Sequence, residues 1–212
     1  GLSAGGSEYV WIVDPLDGTV NYYYGLPYYC VSIACCAEAH ALSPDSGLGS
    51  LGRPVVGVVY APPTDELFVA RPGNGATLNG REIRVSQNPD LHEAVYCAGF
   101  GKDEQQAAEM VELTARVSKH VRKIRCLGAA AYDLSNIAAG RLSGFYEGSL
   151  RTWDIAAGAI ILAEAGGQIG AVQFEPTRWR VFAAAAPVFA ALGDVLGLDR
   201  EMLEGEYPWI SV

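Results

Sequence analysis

The pattern of apolar and polar positions changes character near the middle of the chain. In the first half, short runs of β-branched and aromatic residues alternate with turns rich in glycine, proline and asparagine. Val10, Ile12 and Val13 read as the end of a buried strand, after which Asp14, Pro15 and Gly18 turn the chain. Tyr29 to Ala39 and Val55 to Tyr60 read as paired buried strands. Glu66 to Ala70 and Ala76 to Leu78 flank the turn Arg71-Pro-Gly-Asn-Gly75, and Asn79-Gly80 signals a tight turn into Ile83 and Val85. The block from Val31 to Val85 is therefore expected to be an antiparallel meander.

In the second half, strands alternate with helical patterns. A strand over Ala94 to Ala98 precedes a helix beginning at Lys102, with Ala107, Met110, Val111, Thr114 and Val117 on its apolar face. A short strand starting at Lys123 feeds a helix opened by Gly128-Ala-Ala-Ala131 and running to Gly140. Gly144 to Glu147 reads as another short strand. Asp154 opens a helix whose next residues, Ile155 to Leu162, are apolar on every face, the mark of a buried helix. Gln168 to Val172 and Arg180 to Ala184 read as strands of a second sheet, and Pro187 starts a closing helix through Leu196. The expectation is a layered α/β protein, with an N-terminal lobe over residues 1–120 and a C-terminal α/β lobe over 121–212 forming one catalytic unit.

Composition narrows the function classes. With 212 residues, 50% hydrophobic and 18% charged, the chain can bury a large core. Its net charge of -9 argues against nucleic acid or an anionic membrane as a partner, so an anionic substrate would need metal ions as its local attraction. The five cysteines show no zinc-ligand spacing and read as reduced core thiols, which fits a cytoplasmic protein. No run reaches the roughly 18 apolar residues of a membrane helix, because Glu164 and Pro187 interrupt the alanine-rich stretches. Residues 1–8 lack the basic start and apolar block of a signal peptide. His40, His92 and His120 have no metal-ligand spacing and read as surface residues.

The chemistry concentrates in Asp14-Pro-Leu-Asp-Gly-Thr-Val-Asn21. Asp14 and Asp17 flank a proline that fixes φ, so the Leu16 carbonyl can turn inward with them. Three oxygens from one turn suit a hard divalent cation such as magnesium. The Gly18 and Thr19 amides can then donate to phosphate oxygens, with Asn21 bracing the turn. Far downstream, Asp154 sits at the start of a buried helix. An unpaired carboxylate there costs several kcal/mol, so it demands a metal or a capping role.

Two rival readings are set aside. Phosphatases that form an aspartyl-phosphate separate their two aspartates by one residue, whereas Pro15 and Leu16 both intervene here. Gly47-Leu-Gly49-Ser-Leu-Gly52 matches a dinucleotide fingerprint as bare pattern, but Ser43-Pro-Asp precedes it and Arg53-Pro-Val-Val follows, so no helix opens to receive a pyrophosphate.

Asp14-Pro-Leu-Asp-Gly-Thr-Val-Asn21 resembles the first signature of the inositol monophosphatase family. Trp153-Asp-Ile-Ala-Ala-Gly158 with Glu164-Ala-Gly-Gly167 resembles its second. The likeness runs from about Tyr9 to Ala185. It implies an α-β-α-β-α sandwich of the inositol monophosphatase and fructose-1,6-bisphosphatase type, homodimers, lithium sensitivity, and magnesium-dependent hydrolysis of a small phosphate monoester, inositol monophosphate first. Fructose 1,6-bisphosphate, histidinol phosphate, or a noncatalytic phosphate-binding role are the alternatives.

By the same resemblance, Asp14, Asp17, Asp154 and the Leu16 carbonyl bind two or more magnesium ions, and Thr19 orients the attacking water. The phosphate rests on Gly18 and Thr19, while Asp17, Gly128, Ala129, Ala130, Glu147 and Asp154 contact the substrate. Ala129 stands where the family often carries a hydroxyl. The family's upstream Gly-Glu-Glu element has no counterpart in the thirteen residues before Asp14, and Glu8 does not align with it, so the chain is expected to be an N-terminally truncated fragment. The glycine-rich loop over 41–54 looks like an insertion.

Overall fold

A computed structural model describes residues 8–37, 53–101, 104–175 and 177–204. The glycine fingerprint, His40 and the 41–54 loop as far as Gly52 lie outside the described residues, as does the expected helix start at Lys102.

The first sheet has six antiparallel strands in chain order: β1 (Tyr9–Asp17), β2 (Cys30–Ala37), β3 (Arg53–Ala61), β4 (Glu66–Ala70), β5 (Ala76–Leu78) and β6 (Arg81–Ile83). This is the expected meander. Asn79 and Gly80 both take positive φ, 48° and 77°, as a tight hairpin turn with the strands' own twist requires. A short helix, α1 (Thr19–Tyr23), follows β1 and was not foreseen, being too short to show a period.

The second sheet is mixed, in the order β10-β11-β9-β7-β8. It contains β7 (Val95–Ala98), β8 (Lys123–Arg125), β9 (Gly144–Arg151), β10 (Gly167–Glu175) and β11 (Arg178–Ala185). Strands β8 and β9 run parallel to β7, while β11 runs antiparallel to both β9 and β10. β7 therefore pairs within this sheet although it precedes residue 120. β9 runs four residues past the expected end at Glu147, because Leu150 and Arg151 pair with Trp179 and Arg178 of β11.

Two helices lie between the sheets, α3 (Ala130–Ala138) and α4 (Thr152–Glu164). The nine residues of α3 are all buried, and α4 buries Ile155 through Leu162 without a break, as an all-apolar helix must. Gly57 marks how closely α4 lies on the first sheet, since a Cβ there would stand 2.7 Å from the Ala157 carbonyl oxygen. On the far side of the second sheet are α2 (Glu104–Val117) and α5 (Phe189–Leu196), with α6 (Arg200–Glu204) against β10.

The stripe that α2 buries is Met110, Leu113 and Val117. Val111, expected inside, is 61% exposed, one position off that stripe. The layers thus run β-α-β-α among the described residues. The outer face of the first sheet is apolar too, presenting Trp11, Val13, Ile33, Val58 and Tyr60.

Candidate active site

The two aspartates of the first motif share one side of β1 because the strand is irregular there. Asp14 pairs opposite Ser32 and Asp17 opposite Cys30, with a break in register between them. In a regular strand, residues three apart point to opposite faces. The bulge carrying Pro15 and Leu16 removes that alternation, and both carboxylates end buried. The strand was expected to stop at Val13. It continues to Asp17 because β1 is an edge strand, where a proline lacking its N–H and a bulge are both tolerated.

Hydrogen bonds hold the turn closed. The Leu16 N–H donates to Asp14 Oδ1 at 3.0 Å, and the Thr19 hydroxyl donates to the Leu16 carbonyl at 2.9 Å. Gly18 has φ 82°, and a Cβ there would approach the Tyr28 carbonyl oxygen to 2.8 Å, so only glycine fits. Asn21 braces the turn as expected, donating from Nδ2 to the carbonyls of Tyr28 (2.8 Å) and Leu127 (2.7 Å). The second bond reaches the residue before Gly128 and so joins the two halves of the site.

Asp154 takes the capping role, one of the two left open by its sequence position. Its Oδ2 accepts the Arg151 N–H at 2.7 Å, capping α4, while its carboxyl is in hydrogen-bond contact with that of Asp14. Asp17 Oδ2 accepts the Ala131 N–H at 2.7 Å and the Cys30 thiol at 3.7 Å. The electrostatics follow from this crowding. Burial and then the Asp154 charge hold Asp17 well above the usual carboxylate range, against the pull of the Ala131 amide. Burial raises Asp154 to about 7, opposed by the Arg151 amide and reinforced by Asp14. Burial, with Asp154 and Asp133 nearby, takes Glu147 to about 8.

A cavity of about 300 Å³ is lined by Asp14, Leu16, Asp17, Gly18, Thr19, Gly128, Ala130, Glu147 and Asp154. Ala129 is apart from them, 1% exposed and extended just before α3. Trp153, half-buried, also lines the cavity, as do Phe100 and Leu150, which carried no signal in the sequence. Asp133 was missed as well. It is buried, accepts the Tyr28 hydroxyl at 2.6 Å, and is raised to about 7 chiefly by burial. Nothing in a helical pattern separates such a residue from an exposed helix carboxylate.

Among the described residues, no three His, Cys, Asp or Glu side chains converge as a finished metal cage. The donor set nonetheless suits magnesium, which keeps several waters and takes only one or two carboxylates plus substrate oxygens. Asp14, Asp17 and Asp154 repel one another at one cavity, and a cation would relieve that repulsion.

Two sheets enclosing a buried helix pair, with carboxylates from β1 and α4 facing one cavity, define a layered α/β protein with a cation-suited site. The chain belongs to the inositol monophosphatase family, whose family model matches residues 2–198. It is 42% identical over 187 residues to inositol monophosphatase 2 of Solanum lycopersicum, covering 84% of this chain and 65% of that protein. It is 40% identical to the Nus factor SuhB of Escherichia coli, covering 74% and 54%.

Among solved structures, an inositol monophosphatase from Anabaena aligns with TM-score 0.77 at 33% identity, covering 92% of this chain and 74% of that one. Mycobacterium tuberculosis SuhB aligns with TM-score 0.76 at 34% identity, covering 91% and 73%. The chain thus spans between just over half and two thirds of the curated relatives it matches. The family is generally metal-dependent.

Proposed function

We propose that the protein is a magnesium-dependent phosphatase of small phosphate monoesters, with inositol monophosphate as its first candidate substrate. The observation that carries this reading is the meeting of Asp14, Asp17 and Asp154, from β1 and α4, on one cavity with the Gly18-Thr19 turn. Asp14, Asp17, Asp154 and the Leu16 carbonyl would hold the metal. When bound, magnesium supplies Lewis-acid charge at the phosphoryl group and its leaving oxygen.

The chain's own groups do the rest. The Gly18 and Thr19 amides bind the phosphate oxygens. The Thr19 hydroxyl, its proton committed to the Leu16 carbonyl, keeps lone pairs free to accept from the attacking water and so orient it. Glu147, with its pKa about 8, is largely protonated at neutral pH and can both donate to and accept from a substrate hydroxyl. Gly128 and Ala130 present backbone to the substrate, and buried Ala129 supplies the small side chain behind them.

Phosphate release from a panel of inositol monophosphate, fructose 1,6-bisphosphate and histidinol phosphate, with magnesium and with chelator, tests the reading. Metal-dependent release is expected, with lithium inhibiting. No release from any substrate, alongside retained phosphate binding, would select the noncatalytic relative, a reading supported by relatives that carry the name Nus factor SuhB. We also expect a homodimer, seen as a doubled 22.5 kDa mass by sedimentation, and a cytoplasmic location, which thiols free of disulfides suit.

A further inference from the structure

Asp133 lies on no wall of the catalytic cavity, yet the bonds that join two of the cavity's edges run through it. It is the fourth residue of α3 and 1% exposed. Its Oδ1 accepts the Tyr28 hydroxyl at 2.6 Å, and Asn136 Nδ2, three positions further along the same helix, donates to that hydroxyl at 3.2 Å. The carboxyl also draws on the Ala129 amide and the Cys97 thiol, whose sulfur in turn receives the Leu127 amide. Tyr28 and Leu127 are the two residues whose carbonyls accept Asn21 Nδ2, at 2.8 and 2.7 Å. The contacts therefore close a circuit, from Asp133 through Tyr28, Asn21, Leu127 and Cys97 and back.

What the circuit encloses is the turn from β8 into α3. Gly128 in that turn takes φ 80°, and a Cβ there would stand 3.4 Å from Asn21 Nδ2, so the turn lies directly against the brace of the first motif. Gly128 and Ala130 line the cavity. The turn has no means of fixing itself, because the N-cap of α3 is Ala129, whose side chain caps nothing. Asp133 supplies the missing hold from inside the helix. It reaches back to the N-cap amide as the acidic residue of a capping box does, from one position beyond the usual one. A buried carboxyl that served only to satisfy neighbours in the core would not need to join the cavity's two edges.

We infer that Asp133 is a positioning residue. Through Ala129, and through the Tyr28, Asn21 and Leu127 bonds, it sets the Gly128–Ala130 turn against the Gly18–Thr19 turn, so that a substrate's polyol meets the first while its phosphate rests on the second. Asp133 itself touches neither substrate nor metal. The inference rests on the phosphatase reading for which turn meets which part of the substrate.

The test measures kcat and KM for inositol monophosphate, and inhibition by orthophosphate, with magnesium, in the full chain and in Asp133→Ala. Orthophosphate has no polyol and needs only the Gly18–Thr19 side. Asp133→Ala should raise KM about tenfold, the scale of one lost hydrogen bond, and leave the orthophosphate inhibition constant as it was. Asp133→Asn keeps an acceptor for the Tyr28 hydroxyl and should recover part of the rise. Should Asp133→Ala fold poorly, Tyr28→Phe carries the same comparison, since it removes only the 2.6 Å bond. A merely structural role would reduce the folded fraction, lowering apparent kcat with both constants unchanged. That result, or an equal weakening of substrate and orthophosphate, would overturn the inference.

Calorimetric titration with the same two compounds separates this failure from that of the phosphatase reading. With no turnover of any substrate, a loss of inositol monophosphate affinity confined to that compound in Asp133→Ala leaves the positioning role standing while the hydrolytic reading falls. Binding of both compounds that Asp133→Ala leaves unchanged rejects the positioning role.

Discussion

The backbone N–H of Ala131, at the start of α3, donates to Oδ2 of Asp17 at 2.7 Å across 114 positions of sequence. This bond gives a helix N-terminal amide to a buried carboxylate. It seats Asp17 against the second half of the chain, so the position of the first motif depends on the packing of α3 between the sheets.

That single amide does not neutralise Asp17, which remains well above the usual carboxylate range through burial and the Asp154 charge. Asp17→Asn should therefore separate function from folding. The amide oxygen can still accept from Ala131, so the metal-free variant should unfold at the same temperature as the parent or a higher one. Its magnesium-dependent phosphate release should fall by at least about 100-fold, more than an outer partner of a metal site usually costs. Thermal melts and phosphate assays on the same preparations check both halves.

Magnesium should stabilise the folded chain, and only where the carboxylates are ionised. At 100 times its Kd, a single bound ion adds about 2.7 kcal/mol. Asp154, raised to about 7, must lose its proton to bind the ion. The increment should thus be present above pH 7 and fade as pH falls through that value. Melting curves at fixed magnesium over pH 5.5 to 8.5 would show a shift that grows with pH, and a pH-independent shift would contradict the assignment.

Gly18→Ala should damage the site through the backbone. The residue holds φ 82° and its added methyl would meet the Tyr28 carbonyl oxygen at 2.8 Å. Strain of this kind costs of order 1–3 kcal/mol, and relief would come by moving the turn that carries Thr19. Loss of phosphate release together with a stability loss of about that size, read by urea titration, is the expected result.

Asp133 imposes a pH dependence on stability distinct from that of the metal. Burial raises it from 3.8 to about 7, so the folded chain holds this proton over a range in which the unfolded chain has released it. Its contribution is full below about pH 4 and is lost as pH rises through about 7. Asp133→Asn should flatten that decline. Tyr28→Phe removes the 2.6 Å bond to the carboxyl, should cost about 1–3 kcal/mol, and should push the decline to higher pH. Urea denaturation at several pH values distinguishes the variants.

How much of this was legible from sequence depends on whether the determinant was local. Strands β2 to β5 and helices α3 and α4 announced themselves through runs of β-branched residues, the Asn79-Gly80 turn and an unbroken apolar stretch, because these reflect propensity and burial over a few neighbouring residues. Val111 lies outside because the buried stripe of α2 takes Leu113 beside the expected Met110 and Val117, and a helix with several apolar positions does not say which of them faces a neighbour. Phe100, Leu150 and Asp133 belong to the site's surroundings only through packing, and no spacing connects them to Asp14.

Composition and order of residues by themselves determined the family's two motifs, the meander, the buried helix at Asp154 and the demand that its carboxylate find a partner. The tertiary structure alone decided that a bulge in β1 turns Asp14 and Asp17 to one side, that Ala131 and Arg151 supply their amides, and that Asp133 meets Tyr28. The division has a physical cause. Turn chemistry and hydrophobic period are fixed by neighbours in sequence, whereas the field at a carboxylate is fixed by whatever the fold brings within a few ångströms, here from more than 100 positions away.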